Sequence, residues 1–319
     1  MKTLYVMDPI DRINVEGDST YMLMLEGCRR GGEVAWCTPQ DLFALTGRCH
    51  ARCATVRVSS EAPYFDSDEP KDRDLADFDV VWLRKDPPFD IDYVFSTYML
   101  DLVPDRTLVL NEPASIRDAN EKMVALRFPE LVPPTLVTQD INRAMNWIAE
   151  APSKVVLKPW DGNGGRGVLV TEEGDGNLRS MLEVLTNEEK THILVQQFVP
   201  EISEGDKRII LIDGEPRGWM NRVPGADDHR GNMHVGASVE STTLTESDRL
   251  ICETIGPWLK ESGLLFVGID TIGSVMTEIN VTSPTGIREI NRLMGTALEV
   301  EITDAVERKL ADQRKGGSA

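Results

Sequence analysis

Three oxygen-bearing side chains near the C-terminal end of the chain have the spacing of a metal site. Glu278 and Asn280 are two residues apart in an apolar segment that predicts a β-strand, so both point to one face. Asp270 lies on the preceding strand of a predicted hairpin. A two-residue loop would pair Asp270 with Thr277, whereas a three-residue loop over 273–275 places Asp270 opposite Glu278, and we predict the second register. Three oxygen ligands would then converge within about 5 Å, as Mg²⁺ bridging phosphates requires.

The alternative for this hairpin is a solvated polar face without a metal. Its apolar neighbours, among them Phe266, Val267 and Ile279, indicate buried strands. Unpaired carboxylates are costly in such surroundings, which favours metal binding.

A glycine-rich loop follows a predicted strand that ends in Lys158. The loop contains Gly162, Gly164 and Gly165, and glycines let backbone N–H groups approach a phosphate closely. Its pattern matches neither the P-loop nor the dinucleotide fingerprint. A mobile hairpin loop is the alternative, and Lys158 at its root favours phosphate binding.

An apolar strand about 38 residues after Lys158 ends in Gln197, Phe198 and Val199. Amides and an aromatic ring at a strand end suit an adenine slot, where backbone groups read the edge of the base. A plain core strand has the same pattern, so this segment alone leaves both interpretations open.

Basic residues cluster in the second half of this acidic chain. Lys207 and Arg208 are followed by Arg222, Arg230 and Arg288, and arginine offers a planar fork for carboxylates and phosphates. A Gly-, Asp- and His-rich segment over 224–237 has no helix or strand pattern. Loops of this length often cover active sites. Any single arginine could be an ordinary exposed surface residue. The presence of several basic residues beside a predicted metal site and a predicted lid favours anion binding.

The elements that position these residues change character along the chain. Strands separated by helices predict a parallel, doubly wound α/β domain over about residues 1–120, with an acidic surface loop over 59–77. The predicted elements there are strands 3–7, 33–37, 80–83 and 107–110 and helix 19–30. The remainder predicts an α+β unit with strands 154–158, 167–171, 192–198, 208–212, 217–223, 266–272 and 276–281. Its helices are predicted at 178–185, at 246–262 and from the last hairpin to about residue 310, followed by a disordered tail over 313–319.

Composition and net charge limit the expected partners and location of the protein. At 319 residues the chain predicts two or three domains, and 53 acidic against 34 basic residues give a net charge of −19. Such a surface repels nucleic acid and anionic lipid, so neither is an expected partner. The sequence has no apolar run of membrane-spanning length and no signal-peptide pattern, which predicts a cytoplasmic protein. Five cysteines without a regular framework predict reduced thiols.

The order of these parts resembles an ATP-grasp ligase, and several runs resemble bacterial glutathione synthetase more narrowly. The runs over 84–90 and 277–285 are the most specific, and the similarity spans nearly the whole chain. Shorter matching runs lie at 7–10, 120–122, 205–208, 230–232 and 266–270.

The resemblance implies three domains: an N-terminal substrate domain over 1–120, a central lid domain over 121–200 and a C-terminal domain over 201–319. It implies that ATP phosphorylates the cysteine carboxylate of γ-glutamylcysteine, and that the amine of glycine attacks the acyl phosphate to give glutathione. Mg²⁺, or Mn²⁺, would assist, and a homo-oligomer, commonly a tetramer, is expected.

Roles carried by the resemblance fall into four groups. Nucleotide contacts are expected from Lys122, Lys158, Gly162, Gly164, Gly165, Gln197, Phe198, Val199 and Asp206. Metal ligands are expected to be Asp270, Glu278 and Asn280. Residues near the reacting carboxylate are expected to be Arg208, Arg222 and Arg230, under the 224–237 loop. Peptide contacts are expected from Arg84, Asp86, Ser283 and Thr285.

Two alternatives stay open at this point. One is another ATP-grasp ligase that joins a different acidic peptide and amine, against which the 84–90 run argues. The other is a nucleotide-binding regulator without turnover, which would be marked by loss of a metal ligand or a phosphate lysine. The lid over 224–237, the segment 49–77 and Gly286 depart from the family pattern, and these departures affect substrate selectivity rather than the metal and ATP sites.

Overall fold

A computed structural model describes residues 1–162, 164–225 and 238–316 of the chain. Three β-sheets organise these residues. One belongs to the N-terminal part, a four-stranded sheet follows, and a five-stranded sheet forms the C-terminal part.

The N-terminal sheet has a parallel centre. Its elements are β1 (Lys2–Met7), α1 (Ser19–Arg29), β2 (Glu33–Cys37), β3 (Leu42–Leu45), β4 (Arg48–Val58), β5 (Phe65–Ser67), β6 (Lys71–Asp74), β7 (Val80–Arg84), α2 (Ile91–Leu100), β8 (Leu108–Leu110) and α3 (Pro113–Asp118). Strands β2, β1, β7 and β8 pair in parallel, as predicted. Helix α1 begins where the Asp18 carboxylate accepts from the Tyr21 N–H at 2.7 Å. It ends before Gly31, whose φ of 72° suits glycine.

The prediction of a surface loop over 59–77 was wrong, because β5 and β6 lie within it. Both pair with β4 in antiparallel fashion, and β4 also pairs with β3. β6 is a run of four charged residues without apolar alternation, so its sequence lacks the usual strand pattern. Its backbone pairing and an ion pair between Arg48 and Asp74, at 2.5 Å, hold it at the edge of the sheet.

The central part is an antiparallel sheet packed on two helices. Its elements are β9 (Thr135–Thr138), α4 (Ile141–Glu150), β10 (Val155–Pro159), β11 (Leu169–Thr171), α5 (Leu178–Leu185) and β12 (Ile193–Gln197). The strand order is β11-β10-β12-β9. Apolar residues of α4 and α5, including Ala144 and Leu182, pack on Val155, Leu157 and Val195 of the sheet to form a separate small core. The strand that carries Lys158 is therefore central in this sheet.

The C-terminal part is an antiparallel sheet with three helices. Its elements are β13 (Asp206–Ile212), β14 (Glu215–Val223), β15 (Ser238–Glu240), α6 (Glu246–Glu261), β16 (Phe266–Ile272), β17 (Val275–Asn280), α7 (Ile287–Met294) and α8 (Leu298–Gly316). The strand order is β15-β14-β13-β16-β17, which confirms both predicted hairpins. The first hairpin turns through Asp213 and Gly214, with φ values of 50° and 79°.

The N-terminal and C-terminal parts share their apolar cores. Buried residues of both parts, such as Leu4 and Val267, belong to one cluster. Asn111, after β8, is buried and donates from Nδ2 to the carbonyls of Phe266 and Val281, both at 2.8 Å. This amide ties the C-terminal hairpin to the N-terminal sheet.

The predicted disordered tail was wrong for residues 313–316, which continue α8. Tertiary contacts hold this last turn: Gln313 donates to the carbonyl of Asp105, and Arg314 forms an ion pair with Asp79. The helix is therefore longer than its apolar pattern predicts. Residues 317–319 lie outside the described residues.

Candidate active site

The hairpin of β16 and β17 places Asp270 directly opposite Glu278, as predicted, but not by the predicted loop. The loop has two residues, Gly273 and Ser274, and a β-bulge shifts the register between Asp270 and Thr271. Thr277 is the extra residue, and its hydroxyl donates to the Asp270 carbonyl at 3.2 Å. Without the bulge, a two-residue loop would place Glu278 on the face opposite to Asp270. The extra residue brings both side chains to the same face.

Asn280 joins the two carboxylates on the same face. Its Nδ2 donates to Asp270 Oδ2 at 3.3 Å. The described residues contain no group of three or more His, Cys, Asp or Glu side chains that could hold a metal ion. A metal site here would therefore consist of two carboxylates, Asp270 and Glu278, with the amide of Asn280, which are the hard oxygen donors that Mg²⁺ prefers.

Two arginines bind the Asp270 carboxylate, Arg208 from β13 and Arg222 from β14. Arg208 binds it through both carboxylate oxygens, with Nε–Oδ1 at 2.6 Å and Nη2–Oδ2 at 3.0 Å. Arg222 Nη2 lies 3.0 Å from Asp270 Oδ1 and 2.6 Å from Asp206 Oδ2. Burial alone would raise the pKa of Asp270, but the two guanidinium groups lower it, to about 2. Asp270 is therefore ionised throughout the neutral range.

Asp206 is the second carboxylate of this network. Burial raises the pKa of Asp206 to about 6 despite the adjacent Arg222. Two arginines thus face two carboxylates, Asp270 buried and Asp206 partly exposed. A third anion entering beside them would find guanidinium N–H donors that are already oriented.

Lys158 lies on β10, next to strand β12 of the same sheet. It is 9% exposed, and its Nζ donates to Gln196 Oε1 at 2.9 Å. Burial lowers the pKa of Lys158 below its ordinary value. Gln196 belongs to the predicted adenine segment but was given no role of its own; strand pairing places it on the same face of the sheet as Lys158.

The first cavity at the site, called the hinge cavity, lies between the central and C-terminal sheets. Six predicted nucleotide contacts line it: Lys158, Gly165, Gln197, Phe198, Val199 and Asp206. Apolar side chains of Val156, Val168 and Ile272 also line it, together with the carboxylates Asp270 and Glu278. An apolar slot that ends in cations and carboxylates has the form of a nucleotide site.

The glycine-rich loop contributes Gly165 to the lining of this cavity and Gly164 to that of a second cavity beside it. Gly164, Gly165 and Gly167 have φ values of 60°, 74° and 70°, which favour glycine. Lys122 is buried and donates to the Gly162 carbonyl and to the Glu121 carboxylate, and its Nζ is 3.5 Å from Glu278 Oε1. Lys122 therefore connects the loop to the metal-site carboxylates.

Glu121 is a further site residue that was not assigned a role from the sequence, although the run over 120–122 was noted. Burial and the nearby charge of Glu278 raise the pKa of Glu121 to about 7. The Ile279 N–H donates to its carbonyl at 2.9 Å, which fixes this segment against β17.

The second cavity, called the arginine cavity, adjoins the first. Predicted substrate residues from both the N-terminal and C-terminal parts line it: Asp86, Arg208, Arg222, Ser283 and Thr285, with Gly164 and Asn280. Asp270 and Glu278 line this cavity as well as the hinge cavity. The two cavities therefore meet at the candidate metal ligands.

One predicted substrate contact is placed differently, and one predicted site residue is not described. Arg84 is buried and does not line the arginine cavity among the described residues; it donates to Thr20 Oγ1 at 3.1 Å and to the Pro284 carbonyl at 3.0 Å. It thus supports the backbone beside Ser283 and Thr285. Arg230, with most of the predicted lid over 224–237, lies outside the described residues.

Several solved structures share the fold. D-cycloserine synthetase DcsG has a TM-score of 0.66 at 14% identity, covering 97% of this chain and 99% of that one. A RimK domain ATP-grasp protein from Sphaerobacter thermophilus has a TM-score of 0.62 at 18% identity, covering 96% and 99%. The ATP-grasp ligase PsnB has a TM-score of 0.61 at 17% identity, covering 97% of each chain. The fold is that of ATP-grasp proteins.

Two family descriptions match the sequence. "Prokaryotic glutathione synthetase, N-terminal domain" matches residues 1–117, and "Prokaryotic glutathione synthetase, ATP-grasp domain" matches residues 121–295. Glutathione synthetase of Bradyrhizobium diazoefficiens is 46% identical over 306 residues, which is 96% of this chain and 97% of that protein. The Brucella melitensis enzyme is 45% identical over 308 residues, covering 96% and 98%. The chain belongs to the prokaryotic glutathione synthetase family.

Proposed function

We propose that this member of the family joins the cysteine carboxylate of γ-glutamylcysteine to the amine of glycine at the expense of ATP. A carboxylate oxygen attacks the γ-phosphorus, and ADP leaves. The glycine nitrogen then attacks the acyl carbon, the C–O bond to phosphate breaks, and the nitrogen releases its surplus protons. The products are glutathione, ADP, phosphate and one proton.

The observation that supports this proposal most is that the hinge cavity and the arginine cavity share Asp270 and Glu278. A nucleotide in the first cavity and a carboxylate in the second would approach each other at these residues. Positioning and charge neutralisation carry most of the rate in such phosphoryl transfers. The site needs no side-chain nucleophile.

Cations are placed on both sides of the point of transfer. Lys158 and Lys122 lie on the nucleotide side, with the backbone of the glycine-rich loop. Arg208 and Arg222 lie on the carboxylate side, already oriented by Asp270. A carboxylate bound there would be held in a fixed direction without reorganisation of the site.

A divalent metal fits the donor set of Asp270, Glu278 and Asn280. Mg²⁺ or Mn²⁺ bound there would neutralise charge on the phosphates. The protein holds these oxygen donors in place. Asn280 and Arg208 both donate hydrogen bonds to the Asp270 carboxylate and fix its orientation.

The predicted peptide contacts complete the proposed substrate site. Ser283, Thr285 and Asp86 would contact the peptide, and Arg84 would support the first two through the Pro284 carbonyl. No helix within 1–162, 164–225 or 238–316 is long and apolar enough to cross a membrane. We place the enzyme in the cytoplasm, with no nucleic-acid partner.

The test is phosphate release from ATP and Mg²⁺, with γ-glutamylcysteine and glycine supplied singly and together. Release that requires both, together with glutathione formation, is expected. The Glu278→Ala variant should lose this activity, whereas Glu253→Ala, a change of an exposed residue on α6, should keep it. Faster turnover with another acid–amine pair would overturn the substrate assignment and leave the ATP site in place.

A further inference from the structure

The glycine-rich loop carries one long basic side chain, that of Arg166. Arg166 is exposed and lines the arginine cavity together with Arg208 and Arg222. It was given no role from the sequence, because it stands within a run of glycines and far from the clustered basic residues. Arg166 is therefore a third arginine of this cavity, and it comes from the central part of the chain rather than from the C-terminal sheet.

Contacts of the loop fix the position from which the Arg166 side chain extends. The Asn120 amide donates to the Trp160 carbonyl at 3.1 Å, and Lys122 donates to the Gly162 carbonyl. A β-carbon added at Gly162 would lie 3.0 Å from the Arg166 carbonyl, so the backbone of the loop turns back closely on itself. The loop is thus tied to the segment whose lysine lies beside a metal-site carboxylate.

The loop lies at the boundary between the two cavities. Gly165 lines the hinge cavity, whereas Gly164 and Arg166 line the arginine cavity. Asp270 and Glu278 line both cavities. Arg166 is therefore on the acceptor side of the point at which a nucleotide and a substrate carboxylate would meet.

Other cations around this point are already paired with carboxylates. Their ion pairs join three cations to four carboxylates, namely Arg208, Arg222 and Lys122 to Asp206, Asp270, Glu121 and Glu278. Within 1–162, 164–225 and 238–316, no carboxylate lies within ion-pair distance of Arg166. The charge of Arg166 is therefore available to an anion that enters the arginine cavity.

We propose that Arg166 is a catalytic residue that contacts the transferred phosphoryl group from the acceptor side, an inference that rests on the proposed function. In this step a carboxylate oxygen forms a bond to the γ-phosphorus. The bond from that phosphorus to the bridging oxygen breaks, and ADP leaves with the electron pair. The phosphoryl oxygens and the incoming carboxylate are all anionic, so they repel each other unless a cation lies beside them. A guanidinium can bind an oxygen of each through its planar fork.

Arg166 can be replaced without disturbing the loop that carries it. Its φ lies outside the left-handed region that Gly164, Gly165 and Gly167 occupy, so another side chain is accommodated there. The side chain is exposed, so its replacement leaves no cavity in a core. Arg166→Gln removes the charge, and Arg166→Lys keeps the charge but loses the fork. The matched control is Arg143→Gln, a change of an exposed arginine on α4 of the same part of the chain.

The first measurement is steady-state phosphate release with γ-glutamylcysteine, glycine, ATP and Mg²⁺. Arg166→Gln should lower kcat at least about 100-fold, because the charges that Arg166 contacts come together only in the transition state. The KM for the peptide should change less than about threefold. Arg166→Lys should recover at least about tenfold over Arg166→Gln, and Arg143→Gln should stay within about twofold of the wild type. A raised peptide KM with an unchanged kcat would identify a ground-state peptide contact and overturn the proposal.

The second measurement needs no turnover and isolates the γ-phosphoryl group. Isothermal titration calorimetry compares MgADP with the Mg²⁺ complex of AMPPNP, an ATP analogue whose imido bridge resists transfer. Arg166→Gln should weaken AMPPNP binding about tenfold or more and leave MgADP binding within about twofold of the wild type. Equal weakening of both nucleotides would assign Arg166 to the structure of the loop and overturn the proposal.

Failure of this inference and failure of the proposed function give different results. An Arg166→Gln variant that matches the wild type in both measurements would overturn the role of Arg166 and leave the proposed function in place. A wild type that releases no phosphate with these two substrates would refute the proposed function. The comparison of AMPPNP with MgADP uses neither substrate of the amide bond, so it then decides by itself whether Arg166 contacts the γ-phosphoryl group.

Discussion

Replacing Lys158 with methionine should strengthen the fold and weaken the nucleotide site. Lys158 is 9% exposed, and its Nζ donates to the neutral Gln196 amide at 2.9 Å. Among the described residues, no carboxylate lies within ion-pair distance of its Nζ. The ligand-free protein therefore holds a desolvated cation with little compensation, which is the reason that its pKa is lowered.

The size of both effects follows from this environment. Methionine keeps the apolar stem and removes the buried charge, so the free energy of unfolding should rise by about 1 kcal/mol and the Tm by about 1–3 °C. A charge-assisted hydrogen bond to phosphate contributes about 1.5–3 kcal/mol, so affinity for MgATP should fall about 10- to 150-fold. The gain in stability should shrink as pH rises from neutral toward 10, since the unfolded state binds more protons than the folded state in this range.

The assay is thermal unfolding with and without MgATP, which reads both quantities in one experiment. The matched control is Lys154→Met, because Lys154 is an exposed lysine just before the same strand. It should change neither the Tm nor the nucleotide-induced shift. A Lys158→Met variant that is less stable without nucleotide, and that binds MgATP as the wild type does, would refute this reasoning.

Other predictions concern a core ion pair, the metal site and pH. Lys207 forms an ion pair with Asp248, which is 0% exposed, so Lys207→Met should cost about 3–5 kcal/mol in urea unfolding, whereas the surface change Lys260→Met should cost under about 0.5 kcal/mol. Equal losses would contradict this. Asn280→Ala should raise the Mg²⁺ concentration for half-maximal activity about 10- to 100-fold, and an unchanged metal titration would exclude Asn280 as a ligand. Burial raises the pKa of Glu121 to about 7. The wild type should therefore lose stability as pH rises from about 4 to 7, because the ionised carboxylate is less favourable in the folded state than in the unfolded state. Glu121→Gln should remove this loss.

Local signals predicted much of the fold. Helix α1 could be placed from its apolar pattern and the glycines after it, and the central parallel strands from their alternation with helices. These signals lie within a few residues of the element that they define. Strand β6 could not be found in this way, because its four charged residues are held by pairing with β4, which is distant in sequence.

The candidate site shows the same limit at a finer scale. The prediction that Asp270 lies opposite Glu278 was correct, but the pairing arises from a β-bulge at Thr277. The turn residues of the sequence do not indicate this bulge. Arg84 was assigned to substrate because of the run that contains it, and its partner proves to be the Pro284 carbonyl, 200 residues away. Side-chain partners of this kind depend on packing between domains, which local sequence does not contain.

The central claim is that a substrate carboxylate in the arginine cavity takes the γ-phosphoryl group of a nucleotide in the hinge cavity. The most direct test supplies γ-glutamylcysteine labelled with ¹⁸O in both oxygens of its cysteine carboxylate, with glycine, ATP and Mg²⁺, and analyses the released phosphate by mass spectrometry. An acyl phosphate transfers one carboxylate oxygen to phosphate when the amine displaces it, so each phosphate should carry one ¹⁸O atom. Unlabelled phosphate, with the displaced ¹⁸O recovered in water instead, would contradict the account.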